Sequence, residues 1–202
     1  MKNIILLNFD NEIKRKKFHL LSFFVPVYYL LWPNSILVFI TLLSIFVLAI
    51  DMYRMYFKKD INLPVLHLIN STIRPYEKKG PMSATLLVLV SLFIIIFFKK
   101  DIAIISISIA SICDTAAAVY GMKYGKIKLL FNKTLEGSFV FLITSCILVF
   151  ILNYFLNSNL DMVFLMVCSL LAAITESITP TKYDNVTVPL VASFLLYILN
   201  SI

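Results

Sequence analysis

Ser35-Ile-Leu-Val-Phe-Ile-Thr-Leu-Leu-Ser-Ile-Phe-Val-Leu-Ala-Ile50 carries no charge, and the apolar character continues past Asp51 to Phe57. A bilayer hydrocarbon core takes roughly 17 to 25 predominantly apolar residues per helix. Ser35–Phe57 therefore reads as a transmembrane helix. The same reading applies on either side, to Phe18–Trp32, Met82–Phe98, Ile102–Tyr120, Leu135–Leu156, Asp161–Ile178 and Val186–Ile202. Trp32-Pro33-Asn34 closes the first of these with a turn at the membrane interface. The expectation is an all-α integral membrane protein of about seven spans, one polytopic domain over residues 1–202.

Composition agrees with lipid as the solvent. Of the 202 residues, 60% are hydrophobic and 14% charged, with a mean hydropathy of +0.93. Soluble domains are nearer half apolar and a quarter charged. Four Gly and seven Pro leave no flexible linker, and no internal repeat is present. No cleavable signal peptide is expected, because the first long apolar run follows a basic stretch and further spans come after it.

The net charge of +7 would suggest nucleic acid as the partner of a soluble protein. In a membrane protein, basic residues hold cytoplasmic loops inside, and no nucleic-acid partner is expected. With the N-terminus inside and seven alternating spans, all 18 basic residues except Lys99 and Lys100 fall on the inner side. That bias predicts an N-terminus in the cytoplasm and a C-terminus outside. Between the second and third spans, Leu63, Leu66, Ile69 and Ile73 recur at helical spacing around Pro64, predicting a short amphipathic helix on the cytoplasmic surface. His67 sits there as an interfacial residue. Cys113, Cys146 and Cys168 lie in apolar runs without metal-ligand spacing and read as core residues.

Charges inside spans do not follow from lipid as the solvent. A carboxylate within a span is costly and by default functional. Asp114 shares a helical face with Ala110, Ala117 and Gly121, and Glu176 shares one with Ser169 and Ala172. Small neighbours admit a close helix, or leave room for a phosphate or a metal-bound water. The alternative for both acids is a pairing with Lys or Arg that locks helices together. Asp51, three residues before Arg54, reads as such a structural ion pair.

The segment from Gly121 to Ser138 holds three of the four glycines and Lys123, Lys126, Lys128 and Lys133, and it runs into a span. Lysines, backbone N–H groups and a positive helix end together form an anion site, with Thr134 as the N-cap. The alternative is an ordinary basic cytoplasmic loop. No P-loop sequence is present. Glu12, Arg15, Lys16 and His19 fall on one helical face leading into the first span, where an anchoring role explains the lysines but not the histidine. Asp184-Asn185 is either a pair of hard oxygen ligands for Mg2+ or an ordinary helix cap.

Arg15, Arg74, Glu77, Asp114, Lys133, Glu136, Glu176 and Asp184 all fall at the predicted cytoplasmic face. Carboxylates for a cation and bases for phosphates suit a metal–nucleotide complex that meets a lipid.

The ordered set resembles the CTP-dependent lipid kinase family, which includes dolichol kinase, phytol kinase and the fungal-type diacylglycerol kinase. It comprises E-x-x-R-K-x-x-H at Glu12–His19, R-x-x-E at Arg74–Glu77, Asp114-Thr-Ala-Ala with Gly121 and Gly125, K-T-L-E-G-S at Lys133–Ser138, and Glu176 with Asp184-Asn185 and Pro189. The resemblance implies transfer of the γ-phosphoryl group of CTP to the hydroxyl of a membrane lipid alcohol, either a prenol or diacylglycerol, with Mg2+ as cofactor. It assigns Arg15, Lys16, His19, Arg74, Lys133 and Asn185 to nucleotide and phosphate. It places Gly121, Gly125, Thr134, Gly137 and Ser138 along the nucleotide. Asp114 and Asp184 are the expected metal ligands, or one of them orients the lipid hydroxyl. Glu136 and Glu176 are candidates for the same catalytic roles, and the sequence does not divide them. A phosphatidate cytidylyltransferase-like CMP transfer and a small transporter are the rival readings. The lipid and the oligomeric state stay open.

Overall fold

The computed structural model describes residues 12–57, 77, 80–158 and 160–200. The interfacial helix expected between the second and third spans, with His67 and Arg74, lies outside the described residues. The described residues are helical, without a strand, and each of the seven apolar segments overlaps one helix, with ends that differ by up to six residues.

Helix α1 covers residues 12–31 and tightens into a 3-10 turn at Leu21–Phe23. It ends at Trp32, the residue before Pro33, where the helical conformation is sterically disfavoured. Tyr28 stacks on Phe39 at 4.2 Å between ring centroids, and its hydroxyl lies 3.0 Å from Ser35 Oγ. Those contacts fold α1 back on α2, Ile36–Phe57. Helices α3, Ser83–Phe97, and α4, Lys100–Tyr124, follow, with a π turn at Ile109–Cys113 inside α4. Helix α5 is Leu135–Leu156, and Asn157 closes it in the left-handed conformation with φ 46°. Helix α6, Met162–Ile178, is capped by Asp161, whose Oδ1 accepts from Val163 N at 2.7 Å. Helix α7, Asp184–Leu199, completes the set.

Helix α4 is the axis of the bundle. Helices α1, α3, α5 and α7 all pack against it, α2 packs outside on α3, and α6 bridges α5 and α7. Of its most apolar stretch 72% is buried, against 22% for α2 and for α5. Isoleucines at 102, 104, 105, 107 and 109 are at most 1% exposed, so this helix is apolar all round because protein surrounds it. The outer helices instead turn large apolar side chains outward: Phe24, Phe46, Phe150 and Tyr154 are each at least 60% exposed. In water such a surface would aggregate; in a bilayer it meets a solvent as apolar as itself. Three segments, Pro33–Tyr56, Lys100–Tyr124 and Leu135–Leu156, are long and apolar enough to cross a membrane, and Ser83–Phe97, Met162–Ile178 and Asp184–Leu199 are shorter apolar helices.

Antiparallel succession sets which helix ends meet. The start of α1, the ends of α2, α4 and α6, and the starts of α3, α5 and α7 lie at one end of the bundle. Residues from these ends contact one another directly.

Candidate functional site: a charged layer at one end of the bundle

Two buried clusters form the layer. In the first, Asp114 stands at the end of the π turn of α4. Its Oδ2 lies 2.5 Å from Lys16 Nζ and 3.3 Å from His19 Nε2, both on α1. Within the π turn, the Ala110 carbonyl accepts from His19 Nε2 at 3.1 Å. A carbonyl can only accept, so the imidazole proton sits on Nε2 and points between Ala110 and Asp114. Ser22 Oγ donates to Ser111 Oγ at 2.9 Å and closes the α1–α4 contact beneath. Lys16, His19 and Asp114 are all under 8% exposed.

In the second cluster, Lys133 extends from the loop before α5 between α6 and α7. Its Nζ lies 2.8 Å from Glu176 Oε1 and 3.8 Å from Asp184 Oδ2, and it also donates to the Glu176 carbonyl. Ser138 Oγ donates to Glu176 Oε2 at 3.4 Å.

The loop that carries Lys133 is tightly built. Leu129 N donates to the Lys133 carbonyl at 2.8 Å and Leu135 N to the Ile127 carbonyl at 2.9 Å, with Phe131 and Asn132 at φ 56° and 62°. Glu136 accepts from Ile127 N at 3.2 and 3.3 Å through its two carboxylate oxygens. It therefore braces the loop, while Asp114, Glu176 and Asp184 line the buried layer. Thr134 caps α5 as expected, accepting from Gly137 N at 3.2 Å.

The glycines let α4 and α5 touch. A Cβ on Gly121 would lie 2.6 Å from Thr134 Oγ1, and one on Gly137 would lie 2.9 Å from the Ala117 carbonyl. A Cβ on Gly125 would meet the Gly121 carbonyl at 2.3 Å. Their common effect is close backbone approach under the Lys133 loop.

Other residues are placed differently. Arg15 pairs with Glu12 on its own helix and stays at the margin of the layer. Asp184 stands in the first turn of α7, where its Oδ1 accepts from Asn185 N at 2.8 Å. The Asn185 side chain reaches α3 and donates to the Ser83 carbonyl at 3.1 Å. Asp51 and Arg54 form the expected ion pair, Oδ1 to Nη2 at 2.6 Å, and Arg54 also donates to the carbonyls of Glu77 and Gly80. Residues that periodicity did not single out are Ser22, Ser111 and Ser83, whose partners lie far away in sequence.

The donor set of the layer is carboxylate and hydroxyl oxygen, which suits a hard cation. No group of three or more His, Cys, Asp or Glu side chains converges on one point among the described residues. Mg2+ is commonly held by one or two carboxylates together with substrate phosphates, and Asp114 and Asp184 fit that mode better than an all-protein cage.

No family model and no solved structure matches the chain. It is 29% identical over 191 residues to an uncharacterized protein of Rickettsia prowazekii, a match covering 91% of this chain and 92% of that protein. It is 32% identical over 139 residues to CTP-dependent diacylglycerol kinase 1 of Saccharomyces cerevisiae, covering 63% of this chain and 46% of that protein. The chain thus carries a distant likeness, over part of its length, to a CTP-dependent diacylglycerol kinase.

Proposed function

We propose that the protein is a multi-pass membrane kinase that transfers the γ-phosphoryl group of CTP to the hydroxyl of a membrane lipid alcohol. The products are a lipid monophosphate and CDP, and the alcohol is a prenol or diacylglycerol. In this reading the seven helices span the bilayer with the N-terminus in the cytoplasm, so the charged layer faces the cytoplasm. The observation that carries the reading is the burial of Lys16 and Lys133 against Asp114, Glu176 and Asp184 at a single end of an otherwise apolar bundle. The likeness to the yeast kinase supports the choice of nucleotide and acceptor class.

Phosphoryl transfer asks a protein mainly to position its reactants and offset charge. Lys16 and Lys133 each hold a carboxylate and turn to phosphate oxygens when the nucleotide enters, which would leave Asp114 and Asp184 to hold the cation. Mg2+, when bound, neutralises phosphate charge and orients the transferring group. One of the two aspartates also orients the lipid hydroxyl and accepts its proton as the oxygen–phosphorus bond forms and the β–γ bridge breaks. Ser138, which donates to Glu176 from the first turn of α5, would face the same nucleotide. The outer apolar helices keep the lipid in the bilayer while its hydroxyl rises to the layer.

The direct experiment is an assay of the purified protein with CTP or ATP against a panel of prenols and diacylglycerol in detergent micelles. Phosphorylation of a lipid alcohol in the presence of Mg2+ and CTP is expected. Absence of transfer to every alcohol with either nucleotide would refute the proposal.

A further inference from the structure

Beside the two ion-paired clusters runs a third set of buried polar groups that the transfer reaction does not use directly. At the end of α2, Asp51 is 1% exposed and accepts from Arg54 Nη2 at 2.6 Å and from Met82 N at 2.9 Å. Arg54 donates from Nη1 to the Glu77 carbonyl at 2.6 Å and from Nη2 to the Gly80 carbonyl at 2.7 Å. A guanidinium presents five N–H donors in a rigid fork, and here it serves two backbone carbonyls and a carboxylate together. The Glu77 carboxylate accepts from Ser83 N at 2.9 Å and from the Ser83 hydroxyl, which caps the first turn of α3. The Ser83 carbonyl then accepts from Asn185 Nδ2 at 3.1 Å, and Asn185 N donates to Asp184 Oδ1 at 2.8 Å.

We infer that Arg54 and Asn185 are positioning residues for Asp184, acting through the buried chain Asp51–Arg54–Glu77–Ser83–Asn185. Three helix ends meet along this path, and helix ends are the parts that fray. Asp184 occupies the first turn of α7 directly after the turn at residues 181–183, so its backbone gains little rigidity from its own helix. The amide of Asn185 fixes that turn to α3, and the Arg54 fork fixes α3 to α2. One Asp184 oxygen is then committed to Asn185 N, and the other is presented toward Lys133. Partners of this kind set the orientation of a metal-ligating carboxylate, and their loss typically weakens metal affinity or activity by about 10- to 100-fold.

The inference rests on the reading of Asp184 as a cation ligand, and the test separates the two. Mn2+ is titrated by electron paramagnetic resonance into the full chain in detergent with saturating CTP, together with a thermal melt of each variant. Asp184→Asn is expected to weaken Mn2+ binding. Asn185→Leu, which keeps the volume but loses the amide, is expected to weaken it about tenfold or more. In the Asp184→Asn background, Asn185→Leu is expected to add no further loss, because it acts through that carboxylate. Arg54→Lys keeps the charge without the fork and carries the same expectation should Asn185→Leu not fold. Wild-type Mn2+ affinity in both Asn185→Leu and Arg54→Lys, with only lowered melting temperatures, would overturn the inference. Wild-type affinity in Asp184→Asn would instead overturn the assignment of Asp184 on which it rests.

Discussion

Lys133 Nζ lies 2.8 Å from Glu176 Oε1 and 3.8 Å from Asp184 Oδ2, so one ammonium from a loop joins the end of α6 to the start of α7. All three residues are under 9% exposed. Removing one partner of a buried ion pair leaves the other charge uncompensated, at about 3–5 kcal/mol. Lys133→Met should therefore lower stability by about that amount and abolish lipid phosphorylation. Adding Glu176→Gln should recover part of the stability and none of the activity, which a thermal melt and a turnover assay on the same preparation would show. Full stability in Lys133→Met would mean that the ammonium does not hold these helices.

Asp114 plays the matching part at α1. Asp114→Asn keeps the shape and one accepting oxygen but removes the charge that faces Lys16 and His19. Loss of CTP-dependent phosphorylation is expected, with the protein still monodisperse by size-exclusion chromatography in detergent. Retained turnover would sink the assignment of Asp114.

In the proposed mechanism, ion pairing within the layer would couple CTP and Mg2+. Without a cation, a nucleotide that draws Lys16 and Lys133 away removes the ammonium partners of Asp114, Glu176 and Asp184. CTP binding measured by calorimetry should therefore weaken by about tenfold or more when Mg2+ is chelated, tenfold being about 1.4 kcal/mol. By linkage, Mg2+ should bind correspondingly more weakly without CTP. Equal CTP affinity with and without the metal would contradict ion-pair exchange.

Packing of α4 on α5 supplies a prediction independent of the chemistry. Gly121→Ala forces a Cβ to within 2.6 Å of Thr134 Oγ1, and Gly137→Ala forces one to within 2.9 Å of the Ala117 carbonyl. Overpacking of this kind costs about 1–3 kcal/mol. Thr134→Ala alone should cost about 1 kcal/mol through the lost cap. Combined with Gly121→Ala it should cost less, because it removes the atom that clashes. Additive losses in thermal melts would show that the clash is relieved elsewhere.

The helices were legible in the sequence because apolar runs longer than a strand, bounded by turn signals such as Trp32-Pro33-Asn34, read as helix. Thr134 as a cap, the Asp51–Arg54 pair, and the face shared by Glu176, Ser169 and Ala172 were legible because each is a local relationship within one turn or one helix. What escaped depends on distance along the chain. Asn185 and Ser83 are 102 residues apart and Lys16 and Asp114 are 98 apart, so no periodicity relates them. Glu136, a catalytic candidate by sequence, accepts from the Ile127 backbone, a contact that arises because the loop before α5 folds back over the helix start. The π turn at Ile109–Cys113 has no compositional mark, yet it precedes Asp114 and contains Ala110, whose carbonyl accepts from His19. The glycines of the Lys133 segment suggested a phosphate cradle, and their surroundings show that they also serve the contact between two helices.

Which phosphorus of the nucleotide reaches the lipid separates phosphoryl transfer from CMP transfer, and positional labelling decides it. Purified protein is incubated with Mg2+ and a lipid alcohol, using CTP labelled at the γ-phosphorus in one reaction and at the α-phosphorus in a parallel one. Label on the lipid from γ-labelled CTP alone, with unlabelled lipid in the α-labelled reaction, is the predicted result. Label from the α-position would show CMP transfer and contradict the account.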